Sequence, residues 1–221
     1  VYKRQMSSGL PNEEKANVRK AFAKGEVSRE ELIKAESKAY HGEGTCTFYG
    51  TANSNQIIME IMGVHIPGAA FVHPNSDLRH AYNVLAVEQA VKINSKGRDV
   101  RPIGKIIDER SFVNAIIGLL ATGGSTNHTL HLPAMAAAAG IKLLWEDFDD
   151  LSKIIPLLSR VYPNGTADIN QFHAAGGVSF IIGELLNNGL LDGSAKTIWG
   201  ENLFDYVCLL YTSDAADESS S

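Results

Sequence analysis

At 221 residues, 44% hydrophobic and 20% charged, with a formal net charge of −5, the chain suits one sizeable globular domain or a large piece of one. No lysine–arginine cluster marks a nucleic-acid footprint, no apolar run reaches membrane-spanning length, and the opening VYKRQMSSGL has no secretory signal core. Two distant cysteines, Cys46 and Cys208, make no disulfide framework, so a reducing, cytoplasmic compartment is expected.

The two ends do not continue the pattern beside them. VYKRQ can be written GTG TAT AAG AGA CAG. The reverse complement, read from its second base, gives Cys-Leu-Leu-Tyr-Thr, which is residues 208–212. Such an inverted repeat resembles the transposon-end adapters of sequencing libraries. The expected organisation is therefore 1–5 and 208–221 encoded by adapter DNA, with 6–207 a partial domain cut at both ends.

Residues 11–42 predict a helical hairpin. Pro11 or Asn12 opens its first helix, Glu13 and Glu14 occupy the first turn, and Gly25 ends it. Ser28 and Glu31 form a capping box for the second helix, which runs to near Gly42. Val18, Phe22, Leu32 and Ile33 give only a thin apolar stripe, as on a surface hairpin.

NSNQIIMEIMG predicts a helix capped by Asn53 with Gln56 as its N3 partner, buried at Ile57, Ile58, Ile61 and Met62, and ended by Gly63. An irregular apolar stretch, VHIPGAAFVHP, comes next. From Ser76 an amphipathic helix turns Leu78, Tyr82, Leu85, Ala86 and Val91 inward. DERSFVNAIIGLLATGG predicts a long helix, apolar at Phe112, Val113, Ile116, Ile117 and Leu120. GGSTN precedes another helical run, HTLHLPAMAAAAG, where Pro133 should kink the helix or shift its start. IKLLW, 141–145, is a candidate buried strand, and FDDLSKIIPLLSRVYP a further helix. The last helix covers 178–187 and stops at Gly189. Helix dominates, and the linkers are too short to divide the body.

Cys46 lies in a small, polar, glycine-containing loop ahead of a helix, GEGTCTFYGTANSN. Loop amides and a helix N-terminus favour a thiolate, which serves as nucleophile or metal ligand. A small buried residue in a tight loop is the plainer reading, and the residues leave both open. A nucleophile wants a base, and His41 is the nearest histidine in sequence; Glu43 would raise a thiol pKa rather than lower it. In GGSTN, Ser125, Thr126 and Asn127 can cap a helix or offer N–H groups to an anion; an ordinary interhelical turn uses the same residues. His128 and His131 are a weak metal signal without a third ligand. Asp168, Asn170 and His173, read as lying in a loop, are rich in hydrogen-bonding groups, as turns also are.

Taken together, GTCTFYGTANSNQ, FVHPNSDLRHA, IGKIIDERSFVNAI, LLATGGSTNHTLHL, RVYPNGTADINQFHAAGG and ELLNNGLL resemble the dihydroxy-acid and sugar-acid dehydratase family, in order and spacing from about residue 6 to 191. The resemblance implies an α/β fold, of which this would be the helix-rich part of the N-terminal domain, incomplete at both ends. Thr-Phe-Tyr after Cys46, where the branched-chain branch has Gly-Gly-Met, implies the branch acting on a phosphorylated sugar acid. The implied reaction is a dehydration by a hydro-lyase of carbohydrate metabolism. Cys46 matches a ligand of the family's iron–sulfur cluster, [4Fe-4S] in that branch, and the parent is expected to use a divalent metal such as Mg or Mn. Ser125, Thr126 and Asn127 become candidates for substrate or phosphate contact, with Asn170 and His173 a second group. No catalytic residue is expected in this segment. The family's other cluster cysteines, its metal-linked Asp and Lys, and its base serine match nothing within 6–207, so the chain alone is expected to be inactive and its parent to be a homodimer. A sister dehydratase, and a cysteine-nucleophile enzyme using Cys46, are the alternatives.

Overall fold

The computed structural model describes residues 10–39 and 46–205. The described chain forms α1 (Asn12–Ala23), α2 (Arg29–Lys38), α3 (Thr51–Ile61), α4 (Asp77–Ile93), α5 (Ile103–Ile106), α6 (Glu109–Thr122), α7 (His128–Ala138), α8 (Trp145–Ser152), α9 (Ile169–Ala174) and α10 (Gly177–Asn187). Among the described residues, extended pairing is one bridge, between Val161 and Ala167. This is the helix-rich portion that the sequence predicts.

α3 and α6 form the centre, and two cores meet on them. Ile57 and Ile61 of α3, with Ile117 and Ala121 of α6, face the core shared with α10, where Ile181, Ile182 and Leu185 are enclosed. Ile58 and Met62, with Phe112, Ala115, Ile116 and Leu119, face the core shared with α7 and α8 through Leu132, Ala136 and Phe148. The i, i+1, i+4, i+5 spacing of IIMEIM thus supplies two adjacent faces of one helix. The helices touch closely at Gly118, where a Cβ would fall 2.2 Å from Ile61 Cδ1. An alanine there would require the Ile61 terminal methyl to move aside.

Polar groups inside this centre are paired. Asn114, fully buried, donates from Nδ2 to the Asp192 carbonyl (3.0 Å) and accepts the Asp192 amide on Oδ1 (2.9 Å), fastening the chain after α10 to α6. Asp108 caps α6, accepting the amides of Arg110 and Ser111, while Ser111 completes the box. Burial pushes the Asp108 carboxyl up, but the Arg110 guanidinium and the two amides outweigh it and hold it below the ordinary range.

The capping box of α2, the glycine-ended α1, the buried face of α3 and the end of α10 before Gly189 follow the sequence. α2 ends at Lys38, and Gly42 lies outside the described residues. Five expectations are corrected. α3 begins at Thr51 with Gly50 as N-cap; Asn53 instead turns its amide onto the Phe48 carbonyl. α4 is not packed as its pattern suggests: Leu78, Leu85 and Val91 are exposed, and Gln89 is its buried residue. Asn170 and His173, read as loop residues, lie on a short helix, α9, because Asp168 and Gln171 form its capping box. Residues 141–144 pair with no strand, and Trp145 already belongs to α8. α8 stops at Ser152, since Pro156 has no amide to donate and disfavours a helical Ile155. The chain beyond crosses the end of α6, where the Leu158 and Ser159 amides donate to the Ala121 carbonyl (2.7 and 3.2 Å).

Pro133 lies inside α7, which begins at His128 and continues through it. Its ring deprives the Thr129 carbonyl of an amide donor, and the Trp145 indole N–H takes that place at 3.0 Å.

Candidate functional site

Cys46 opens a short loop that leads into α3, and the loop is tied down on three sides. Thr47 is buried; its hydroxyl donates to Asn12 Oδ1 (3.1 Å) and its carbonyl accepts the Ile169 amide (3.3 Å). The Tyr49 amide donates to the Tyr162 carbonyl (3.0 Å). Tyr49 is buried with its hydroxyl 2.6 Å from Thr122 Oγ1. Thr122 donates to the Gly118 carbonyl, so Tyr49 is the donor of that pair. Burial raises the Tyr49 phenol above its ordinary value, against the Thr122 bond. The Lys15 ammonium, buried, sits 5.4 Å over the Phe48 ring, which packs edge-on to Tyr162 at 5.0 Å.

Cys46 is exposed. Its hydrogen bond among the described residues is a long contact to the Phe48 carbonyl, 3.8 Å. Cys46 is therefore held at the surface by an anchored loop rather than packed as a core side chain. His41 and Glu43 lie outside the described residues.

The α6–α7 turn closes onto the start of α3. Gly123 adopts a left-handed conformation (φ 60°), and at Gly124 a Cβ would meet Leu119 Cδ1 at 2.5 Å and Ser54 Cβ at 3.1 Å. That approach brings Ser125 Oγ to 2.8 Å from Thr51 Oγ1, which also accepts from Asn127 Nδ2 at 2.8 Å. The Ser125 amide donates to Ser54 Oγ (3.3 Å), which lies 2.9 Å from His128 Nε2. Ser54 and His128 are both buried, whereas Thr126 and Asn127 are exposed. Burial pushes the His128 imidazole below its ordinary value; a hydrogen bond to the Thr51 backbone opposes this and His131 adds to it. The His131 ring stands edge-on at 5.3 Å, and the described residues contain no group of three or more acids, cysteines and histidines able to hold a metal. Neither α3 nor α7 has a side-chain cap; at α7 the His128, Thr129 and Leu130 amides donate instead to the Ser125, Thr126 and Asn127 carbonyls (3.1, 3.0 and 3.1 Å).

Asn170 and His173 do not join it. Asp168 caps α9, accepting the Asn170 and Gln171 amides at 2.9 Å each. Asn170 is buried and its Nδ2 has no partner. His173 lines a small cleft with Glu60, Gly68, Phe71, Gly176 and Ser179, at the far end of α3. Thr51 and Glu60 are nine positions apart, about 13 Å along the helix axis. Glu60, which the sequence motifs do not single out, is fully buried and accepts the Gly68 (3.1 Å) and Ala70 (2.7 Å) amides, with His65 Nδ1 at 3.7 Å. A lone acid inside IIMEIM is the signal that could have found it. Burial lowers the His173 pKa, opposed by the Glu60 charge and reinforced by Arg79.

Residues 3–206 match the family described as dihydroxy-acid/6-phosphogluconate dehydratase N-terminal. The chain belongs to this dehydratase family. It is 59% identical over 202 residues to a phosphogluconate dehydratase of Rhizobium meliloti (strain 1021), covering 91% of this chain and 33% of that relative. To a phosphogluconate dehydratase of Zymomonas mobilis it is 51% identical over 212 residues, 96% of this chain and 35% of the relative. A dihydroxy-acid dehydratase of Hydrogenobaculum sp. is 34% identical over 187 residues, 83% of this chain and 33% of the relative. The chain thus spans about a third of the length of these dehydratases.

Proposed function

We propose that the full-length protein is a hydro-lyase converting 6-phospho-D-gluconate to 2-dehydro-3-deoxy-6-phospho-D-gluconate, a step of the Entner–Doudoroff pathway. The observation that carries this is the contrast in identity: 51–59% to relatives named phosphogluconate dehydratase, against 34% to one named dihydroxy-acid dehydratase. Loss of the C3 hydroxyl and the C2 proton as water leaves an enol that tautomerises to the keto acid. Of this chain, Cys46 is the ligand for one iron of a [4Fe-4S] cluster, and its exposed position on an anchored loop fits that role. A cluster held there in part by the full-length protein supplies Lewis-acid chemistry for a departing hydroxyl. Thr51, Ser125, Thr126 and Asn127 line the substrate side, where the N-terminus of α3, which has no side-chain cap, favours a phosphate or carboxylate. A second, divalent metal, a homodimer and a cytoplasmic location complete the reading; no described helix is long and apolar enough to cross a membrane.

The chain by itself is inactive on this reading, because the family-matching segment, residues 3–206, holds a single thiol, Cys46, and one thiol does not hold a cluster. Two measurements test it. The full-length protein should turn over 6-phosphogluconate and leave gluconate and branched-chain dihydroxy acids largely untouched; the reverse preference sinks the assignment. The present chain, incubated anaerobically with iron and sulfide, should give neither a stable brown protein nor dehydratase activity.

A further inference from the structure

α1 is seated on the molecule by polar residues. Asn12 (5% exposed) and Lys15 (4% exposed) are its buried side chains, whereas Phe22 on the same helix is exposed and α2 buries nothing. A lysine so enclosed is rare unless its charge is held. Asn12 and Lys15 are three positions apart, on one face of the helix, and both meet the Cys46 loop. Asn12 Oδ1 accepts the Thr47 hydroxyl at 3.1 Å, and the Lys15 ammonium stands 5.4 Å over the Phe48 ring. The other side of the loop is held by the 162–169 segment. There the Ile169 amide donates to the Thr47 carbonyl (3.3 Å), the Tyr49 amide donates to the Tyr162 carbonyl (3.0 Å), and the Tyr162 ring closes edge-on against Phe48 (5.0 Å). Thr47 is thus bonded to α1 by its side chain and to α9 by its backbone, and Phe48 lies between an ammonium and a second ring. Exposure alternates along the loop: Cys46 and Phe48 are exposed, Thr47 and Tyr49 buried. Apolar burial alone would attach the hairpin without fixing a direction, because it is non-directional. A hydrogen bond and a cation over a ring face both fix geometry.

We propose that Asn12 and Lys15 are positioning residues for Cys46: they clamp Thr47 and Phe48 against the 162–169 segment and so set where the loop presents its thiol. The Phe48 carbonyl, which the clamp holds in place, is also the group that Cys46 Sγ contacts at 3.8 Å. The clamp is a property of α1 and the loop. Its bearing on iron rests on the reading of Cys46 as a cluster ligand, so the two are measured separately.

The first measurement is hydrogen exchange in the full-length protein. Asn12→Ala and Lys15→Met should each speed exchange of the Tyr49 and Ile169 amides at least about 3-fold relative to the Ile182 amide inside α10. Lys15→Arg, which keeps a cation over the ring, should restore most of the protection lost in Lys15→Met. No change at Tyr49 and Ile169, an equal acceleration at Ile182, or an arginine no better than methionine overturns the proposal. If Lys15→Met does not fold, Asn12→Ala decides. The second measurement is the rate at which an iron chelator bleaches the visible absorbance of the bound cluster. Lys15→Met should bleach at least about 3-fold faster than the unaltered protein and Lys15→Arg close to it; three equal rates overturn the proposal. Full iron content in Cys46→Ser would instead end the ligand reading, and the exchange comparison alone would then decide the clamp.

Discussion

The two ends of α3 solve opposite problems. Its first turn gathers neutral groups, Thr51, Ser54, Ser125 and Asn127, that bond mainly to one another and leave Thr126, Asn127 and Cys46 exposed. Its last turn buries a carboxylate, Glu60, and satisfies it with two backbone amides of the adjoining loop. A polar cluster that stays half open is suited to binding, whereas a charge enclosed and paired with backbone holds a loop in place. What separates the two ends is whether the partners are internal to the fold.

The comparison breaks most visibly at Glu60. Glu60→Ala leaves the Gly68 and Ala70 amides without their acceptor and should cost about 3 kcal/mol in urea unfolding. A loss below about 1 kcal/mol would show that water replaces the carboxylate and that the two ends are alike. At the other end Ser54→Ala, which removes one buried hydroxyl shared by His128 and the Ser125 amide, should cost about 1–1.5 kcal/mol in the same assay.

A smaller effect should appear with pH. Burial holds the His128 pKa below its ordinary value, so below about pH 6.5 the unfolded chain takes up a proton that the folded chain refuses. The His128 contribution is complete above that pH and is lost as pH falls toward the folded value. His128→Gln should therefore flatten the decline in Tm between about pH 7 and pH 5. His173 titrates with the same sign at the far end, so His173→Gln should flatten it too, and a variant with no such change would remove that histidine from the account.

Least of all should happen to stability on changing the outward-facing groups. Cys46→Ser and Asn127→Ala are each expected to shift unfolding by less than about 0.5 kcal/mol, since both side chains are exposed. In the full-length protein the same two changes should separate: the first lowers bound iron, the second raises KM for the phosphorylated substrate. If Asn127→Ala changes neither KM nor kcat, the cluster at the start of α3 is a structural turn.

Much of the local structure was legible in the sequence. Ser28 with Glu31, Gly63 after IIMEIM and Gly189 after α10 mark ends by local chemistry, and local chemistry is written in adjacent residues. α4 shows where that stops: periodicity says which residues share a face, but not whether anything lies against it. Of the site, the Cys46 loop and GGSTN were each visible as unusual, while their meeting was not, because Thr51 and Ser125 are 74 positions apart. Asn170 and His173 looked like one group because they are close together in a stretch that reads as a loop; the structure puts them on α9, where one amide is buried and the other ring lines the cleft with Glu60. His128 read as half of a metal pair, and its bond to Ser54 is tertiary information.

The indole that repairs the gap left by Pro133 also gives the molecule a built-in optical gauge. The sequence has two tryptophans. Trp145 is 66% exposed and tethered to α7 through Thr129, whereas Trp199 is partly enclosed and donates to the His65 carbonyl at 3.2 Å. Their emission should differ in colour and in quenching by iodide, so one fluorescence trace can follow the α7–α8 rim and the closing strap of the chain as separate signals.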